Sequence, residues 1–480
     1  MVKKSEEGLT VKKEDDFTEW FIQLMTKAEL ADYSPVSGFI VYRPYAFEIW
    51  ERMKEAVDKE FKKLGVKNAY FPMLFPESLF EKEKEHVAGF APEVAWVTEV
   101  GNKKLSERLA IRPTSEVIMY YFYSKWIRSH RDLPLIINQW NNVVRWDTNN
   151  PVPFFRGREF LWNELHTAFA TEKECLKHGL NVIKAYDKVT EELMAVPAIY
   201  GRKTEKEKFA GAVFTEKNHV YLPNGKVLEG TCNHYDGQNF AKAYDIKFKD
   251  SDGKENYVYQ NTHAISTRLL GGMLGMHSDN NGLVLPPRIA PNKVVIIPLL
   301  FKGKEKEVLE VAKNIEKDLK SFDPLLDDRD YVTPGRKFGE WELKGIPLRI
   351  ELGPRDLEKK QVVVSNRVSG EKIEIKIKDL KNKIPVILEE MQKELYARAK
   401  KLLDESMVKA ETKKDLKKFL DAKKMVSIPM CDGFACEDLM KSENSGAKTL
   451  FIDEKNSAKG KKCLYCGKNA NYWVYVGKTY

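Results

Sequence analysis

At 480 residues the chain is too long for one hydrophobic core, and roughly two to four domains are expected. Its 42% hydrophobic and 31% charged content describes a soluble globular protein, and the longest apolar run, 294–301, is broken by Pro298 and far short of the roughly 20 residues a membrane span needs. The surplus of 80 basic over 71 acidic residues, +9 in all, permits a nucleic-acid partner, although lysine-rich solvated helices give the same sum.

The opening MVKKSEEGLTVKKEDD has no apolar signal core, so a cytoplasmic protein without a membrane partner is expected, and residues 1–19 read as an extension. From Ala46 to Leu64 the apolar residues Ile49, Trp50, Met53, Val57 and Phe61 recur at helical spacing, which predicts a long amphipathic helix ended by Gly65. A short strand over 68–71 stops at Pro72. Residues 73–110 read as a charged helix running into an aromatic turn, with no chemistry assigned. IRPTSE, 111–116, reads as a strand end turning into a helix, with Thr114 or Ser115 as N-cap.

Arg112, Arg145 and Arg156 then stand among aromatic and amide-rich strand patterns, NQWNNVVRW and FFRGREFLWNELH. Arg145 follows Val143 and Val144, and a guanidinium in so apolar a setting needs an anion. Its planar donor fork suits a carboxylate or a phosphate. A strand, a loop rich in Asn and Pro, and a second strand carrying Arg156 would aim both arginines into one cleft. Taken singly, each is as readily an ordinary strand ion pair.

Further on, LEGTCNHYDGQNF (228–240) is polar and punctuated by glycine, and Leu269, Leu270, Met273 and Leu274 predict a buried helix. A boundary falls between Pro286 and Pro291. Strand and helix patterns alternate beyond it up to a helix at 384–403, which predicts a small α/β domain. The tail opens with a lysine-rich helix and carries Cys431-x4-Cys436 and Cys463-x2-Cys466, the spacing of a structural Zn2+ site.

RPTSE, the arginine-bearing strand pair and the helix after Ser266-x-Arg268 together resemble the prolyl-tRNA synthetases of class II, and the cysteine-rich tail, with tyrosine as its last residue, resembles the archaeal and eukaryotic type. The likeness extends over almost the whole sequence. It implies an α+β fold: an antiparallel-sheet catalytic domain over 20–290, an α/β anticodon-binding domain over 291–403, and a small zinc-binding α+β domain over 404–480. The implied activity is ATP-dependent attachment of L-proline to tRNA(Pro) through prolyl-adenylate, with Mg2+ accompanying ATP. The helix 46–64 and its strand resemble the motif that builds the family's homodimer interface.

By the same resemblance Arg145, Arg156 and Arg268 are the catalytic residues. Proline would lie among Thr114, Glu116, Arg145, Trp162, Glu164, His166, Phe209 and His234. ATP would lie among Arg145, Arg156, Glu229, Cys232, Ser266 and Arg268. Glu342, Arg349, Arg355 and Asp356 would face anticodon bases, whose edges arginines and carboxylates can read. Two positions depart from the family, which usually has Gln at 229 and Thr at 232. A carboxylate at 229 could hold Mg2+ more directly than an amide, and a thiol at 232 is a weak hydrogen-bond partner. The span from His166 to Arg268 is too short for the editing insertion of bacterial-type enzymes. Two alternatives stay open: a sister synthetase of the threonyl type, with an active-site zinc on Cys and His, and a non-catalytic tRNA-binding paralogue.

Overall fold

The structure, a computed structural model, describes residues 8–79, 93–148 and 150–480. Eleven strands form the main sheet: β1 Lys67–Asn68, β2 Leu135–Val144, β3 Glu159–Ala168, β4 Ile199–Arg202, β5 Phe214–Tyr221, β6 Lys226–Gly237, β7 Gln260–Ser266, β8 Met407–Lys409, β9 Met425–Met430, β10 Lys448–Ile452 and β11 Tyr472–Thr479. Its main path runs β8-β9-β11-β6-β7-β3-β2-β1, with β5 beside β6, β4 beside β5 and β10 beside β11. The central pairs β2·β3, β3·β7, β6·β7 and β5·β6 are antiparallel.

The expected long helix is α1, Pro44–Lys63. Proline at its start lacks an N–H the helix could not use, and Gly65 takes the left-handed φ of +77° just past its end. Its apolar stripe is buried as the spacing predicts, with Phe61 meeting Tyr186 of α2 (Glu172–Lys188) at 5.5 Å. The strand expected at 68–71 shrinks to β1, which pairs parallel with Ile137 and Asn138. Much of the charged helix expected within 73–110 lies outside the described residues. The described parts form an antiparallel sheet of Leu74–Pro76, Trp96–Val100 and Lys103–Ile111.

The α/β expectation holds beyond the proline boundary. Five strands, in the order Pro324–Leu326, Val294–Pro298, Leu348–Leu352, Gln361–Asn366 and Lys372–Lys376, pack with the helices Glu305–Asp318 and Leu380–Ser406 around an Ile/Val/Leu core. That last helix starts before and ends after the predicted 384–403.

The C-terminal unit is joined to the catalytic sheet rather than set apart from it. β11 runs parallel to β6, pairing Lys478 with Lys226 and Thr479 with Val227. The Tyr480 ring then stacks on Phe155 at 4.4 Å and 2°, and its hydroxyl accepts from Asn224 Nδ2 at 2.8 Å. Among the described residues no helix is long and apolar enough to cross a membrane.

Candidate active site

Side chains two apart on a strand share a face, so the antiparallel register decides which residues meet. One row across the sheet reads Gln139, Glu164, Ala264, Cys232, Lys217. The next reads Ile137, His166, Thr262, His234, Thr215. Over this face lie two cavities of about 180 and 280 Å³, and both are lined by Arg145, Trp162, Lys217, Cys232 and Ala264.

The first cavity is cationic. Arg145, Arg156, Lys217 and Arg268 line it, with Asp147 and Glu229. Arg145 stands one residue past the end of β2. Its Nε donates to the Pro113 carbonyl at 2.9 Å and its guanidinium lies 5.1 Å from the Trp162 ring and 5.5 Å from Phe160. Burial lowers its pKa, which the carboxylates of Glu116 and Glu164 oppose. Arg268 Nε donates to the Phe155 carbonyl at 3.1 Å, and Ser266 caps helix α3, Thr267–His277. Arg156 sits in the turn before β3, exposed at the rim, and not on the strand expected to carry it.

Glu229 meets an arrangement different from the expected Mg2+ ligand. Lys203 Nζ donates to its Oε1 at 2.9 Å and Lys217 Nζ to its Oε2 at 2.5 Å, so both oxygens are already engaged by ammonium groups. Among the described residues Glu229 is the counter-ion of these two lysines.

The second cavity brings together every residue expected around proline: Thr114, Glu116, Arg145, Trp162, Glu164, His166, Phe209 and His234. Glu164 is held rigidly, Oε1 accepting from Thr114 Oγ1 at 2.9 Å and the Ser115 amide at 2.8 Å, and Oε2 from Asn141 at 2.8 Å. Thr114 Oγ1 also contacts the Glu116 carboxylate. Ser115 occupies the N-cap position without capping: its hydroxyl accepts from Gln139 and Asn141 instead. His166 Nδ1 bonds Tyr120 at 3.1 Å, and His234 Nδ1 bonds Thr215 at 2.9 Å with its ring 4.5 Å from Phe209. Arg112 is excluded from both cavities, its guanidinium donating to Asn142 and to the Phe71 carbonyl.

Burial keeps the site's imidazoles neutral, His166 pulled down to about 4 and His234 to about 3, with His178 and His277 at about 4 and His219 at about 3. Unfolded histidines titrate near 6.5, so below that pH the unfolded chain binds more protons than the folded one. Stability is therefore full above about pH 6.5 and lost as pH falls towards 4. Calorimetry should show Tm dropping steeply from pH 7 to pH 5. A flat Tm over that window would overturn the assignment of neutral, buried rings.

Residues 96–277 match the tRNA synthetase class II core domain (G, H, P, S and T), 293–387 the anticodon binding domain, and 413–480 the prolyl-tRNA synthetase C-terminal domain. A proline–tRNA ligase of Alkaliphilus oremlandii is 44% identical over 97% of both chains. The chain belongs to the class II prolyl-tRNA synthetases. A bifunctional glutamate/proline–tRNA ligase of Mus musculus is 43% identical over the whole of this chain and 33% of its own length. The crystal structure of the prolyl-tRNA synthetase of Cryptosporidium parvum, complexed with halofuginone and AMPPNP, superposes with a TM-score of 0.94 at 40% identity, covering 99% of this chain and 98% of that one.

In this synthetase the four tail cysteines converge, with Cys431 Sγ 3.5 Å from Cys436 and 3.7 Å from Cys466. Four sulfurs about 2.3 Å from a tetrahedral zinc lie roughly 3.8 Å apart, so the cluster fits a structural Zn2+ held by Cys431, Cys436, Cys463 and Cys466. Cys232 belongs to no ligand cluster among the described residues. The family match removes the threonyl-type alternative. Glu342 and Arg349 of the anticodon-binding domain line one cavity of about 410 Å³ with Trp341 and Arg367, and Asp279 and Asn281 close it from the catalytic side. Arg355 and Asp356 lie outside its lining, Asp356 accepting from the Gly353 amide at 2.9 Å.

Lys217 is the site residue that sequence reasoning missed. The hairpin turned by Asn224-Gly225 marks the strand pair, but only a bulge between Asn218 and His219 brings Lys217 opposite Cys232.

Proposed function

We propose that the two cavities divide the substrates, ATP in the cationic one and proline in the other, with Arg145 serving both. The observation that carries this reading is Arg145's presence in both linings. The overall reaction is the family's: ATP-dependent joining of L-proline to tRNA(Pro). An oxygen of the prolyl carboxylate bonds to the α-phosphorus, the bond to the β-phosphate oxygen breaks, and pyrophosphate leaves. The hydroxyl of the tRNA's terminal ribose then attacks the prolyl carbonyl carbon, and AMP leaves. No side-chain nucleophile is required. The enzyme's task is to align two anions that repel each other and to stabilise the charge that builds on the phosphate.

Arg145 presents its remaining donors to the carboxylate and the α-phosphate. Arg268, fixed by the Phe155 carbonyl, and Arg156 at the rim hold the triphosphate, beside Ser266 and Cys232. Mg2+ bound to ATP supplies charge neutralisation at the phosphates. Glu116 and Thr114 take the secondary ammonium of proline, which Glu164 orients through Thr114, and Trp162 and Phe209 wall its ring. His166 and His234, being neutral, offer hydrogen bonds without repelling that ammonium.

Glu342 and Arg349 would read anticodon bases in the cavity they share, with Arg355 and Asp356 outside it. A cytoplasmic enzyme fits the free cysteines, which a reducing compartment maintains. A homodimer is supported by the apolar side chains Tyr33, Val41, Phe47, Tyr70 and Met73, all exposed within one segment around α1. Pyrophosphate–ATP exchange run with each amino acid in turn tests the functional reading. Proline should support it, and exchange driven by threonine instead would overturn it.

A further inference from the structure

We propose that Lys217 is a resident cation of adenylate formation, held by Glu229 at the junction where the carboxylate meets the α-phosphate. The assignment rests on the division of the two cavities given above. Five residues line both cavities, and only Arg145 and Lys217 among them are charged. Arg145 approaches from the end of β2 and Lys217 from β5, with three strands between them across the sheet. The junction therefore has a cation on either side.

The ion-pair arithmetic explains why Lys217 has charge to offer. Glu229 is one carboxylate between two ammoniums, so the triad Lys203–Glu229–Lys217 carries a surplus positive charge. Lys203 is sealed, its side chain 3% exposed and its Nζ also 3.4 Å from the Thr449 carbonyl. Lys217 retains 21% exposure, at the cavity. Lys203 alone would neutralise Glu229. The second lysine therefore leaves one positive charge beside the cavity, where an anionic substrate would meet it. Burial pulls the Lys217 pKa down, but the Glu229 carboxylate outweighs it, so the ammonium stays protonated across the physiological range.

The charge at position 229 is what holds the two lysines together. With an amide there, Lys203 and Lys217 would face each other across a neutral group. The carboxylate is the anchor for Lys217.

The test is Lys217→Met beside Lys217→Arg, each assayed by proline-dependent pyrophosphate exchange over a range of Mg2+ concentrations. Lys217→Met keeps the Lys203–Glu229 pair, so a purely structural Lys217 predicts activity within about threefold of wild type. The proposal predicts a fall of about a hundredfold in kcat, the loss expected for one donor to developing charge. It also predicts proline KM within a fewfold, a higher half-saturating Mg2+ concentration, and substantial recovery in Lys217→Arg. Unchanged activity in Lys217→Met, or equal loss in both variants with a lowered Tm, would overturn it. Exchange by the wild-type enzyme checks the functional reading separately, so the two failures can be told apart.

Discussion

Replacing Arg145 with alanine is expected to reduce proline-dependent pyrophosphate exchange by about a thousandfold or more, while the protein stays folded. One donor, Nε, is engaged by the Pro113 carbonyl and fixes the fork; the others face the cavities. Removing a single donor aimed at developing charge costs about a hundred- to a thousandfold in other enzymes. Arg145 lines both cavities and is proposed to serve both reacting anions, so its loss belongs at or beyond the upper end. The fold should tolerate the change because Glu164 keeps its bonds to Thr114, Ser115 and Asn141 without it. Exchange retained within tenfold of wild type, at unchanged Tm, would refute the role.

The double substitution Cys431→Ser, Cys466→Ser is expected to abolish zinc binding and unfold the C-terminal unit at temperatures the wild type survives. Apparent binding energies of structural zinc are about 10–16 kcal/mol in small zinc-finger peptides, more than a unit this size gains from its core. Four thiolates complete a tetrahedral shell and leave no position for substrate, so zinc takes no part in the chemistry itself. Its loss should nevertheless reach the ATP cavity. β11 pairs with β6, and Tyr480 stacks on Phe155, whose carbonyl holds Arg268. The expected signature is a higher KM for ATP with a smaller change for proline. Full zinc content in the double variant would exclude the site.

What could be read from the sequence was what rests on local pattern. The stripe of α1 and the paired cysteines depend on spacing alone, and the α/β alternation after Pro291 on the order of elements. The residues proposed to surround proline were named through motif resemblance, and they line one cavity, with Trp162, Glu164 and His166 on β3 and His234 on β6. Lys217 was not legible because of a single irregularity. Counted outward from the Asn224-Gly225 turn, uniform pairing puts Lys217 opposite Thr231, on the wrong row. A bulge between Asn218 and His219 leaves Gly230 unpaired and brings Lys217 opposite Cys232. The union of β11 with the catalytic sheet was also hidden, since pairing across so long an interval leaves no periodic trace in either strand.

That union bears on how the molecule is made. β6 emerges from the ribosome well before its neighbour β11, with the whole anticodon-binding domain synthesised in between. At translation rates of about 5–20 residues per second, the edge at Lys226 and Val227 waits roughly 10–50 s for its partner strand. Through that interval the nascent catalytic domain lacks the Tyr480 ring that covers Phe155. An exposed sheet edge is a template for pairing with another chain, so this interval is one in which the nascent chain is open to mispairing.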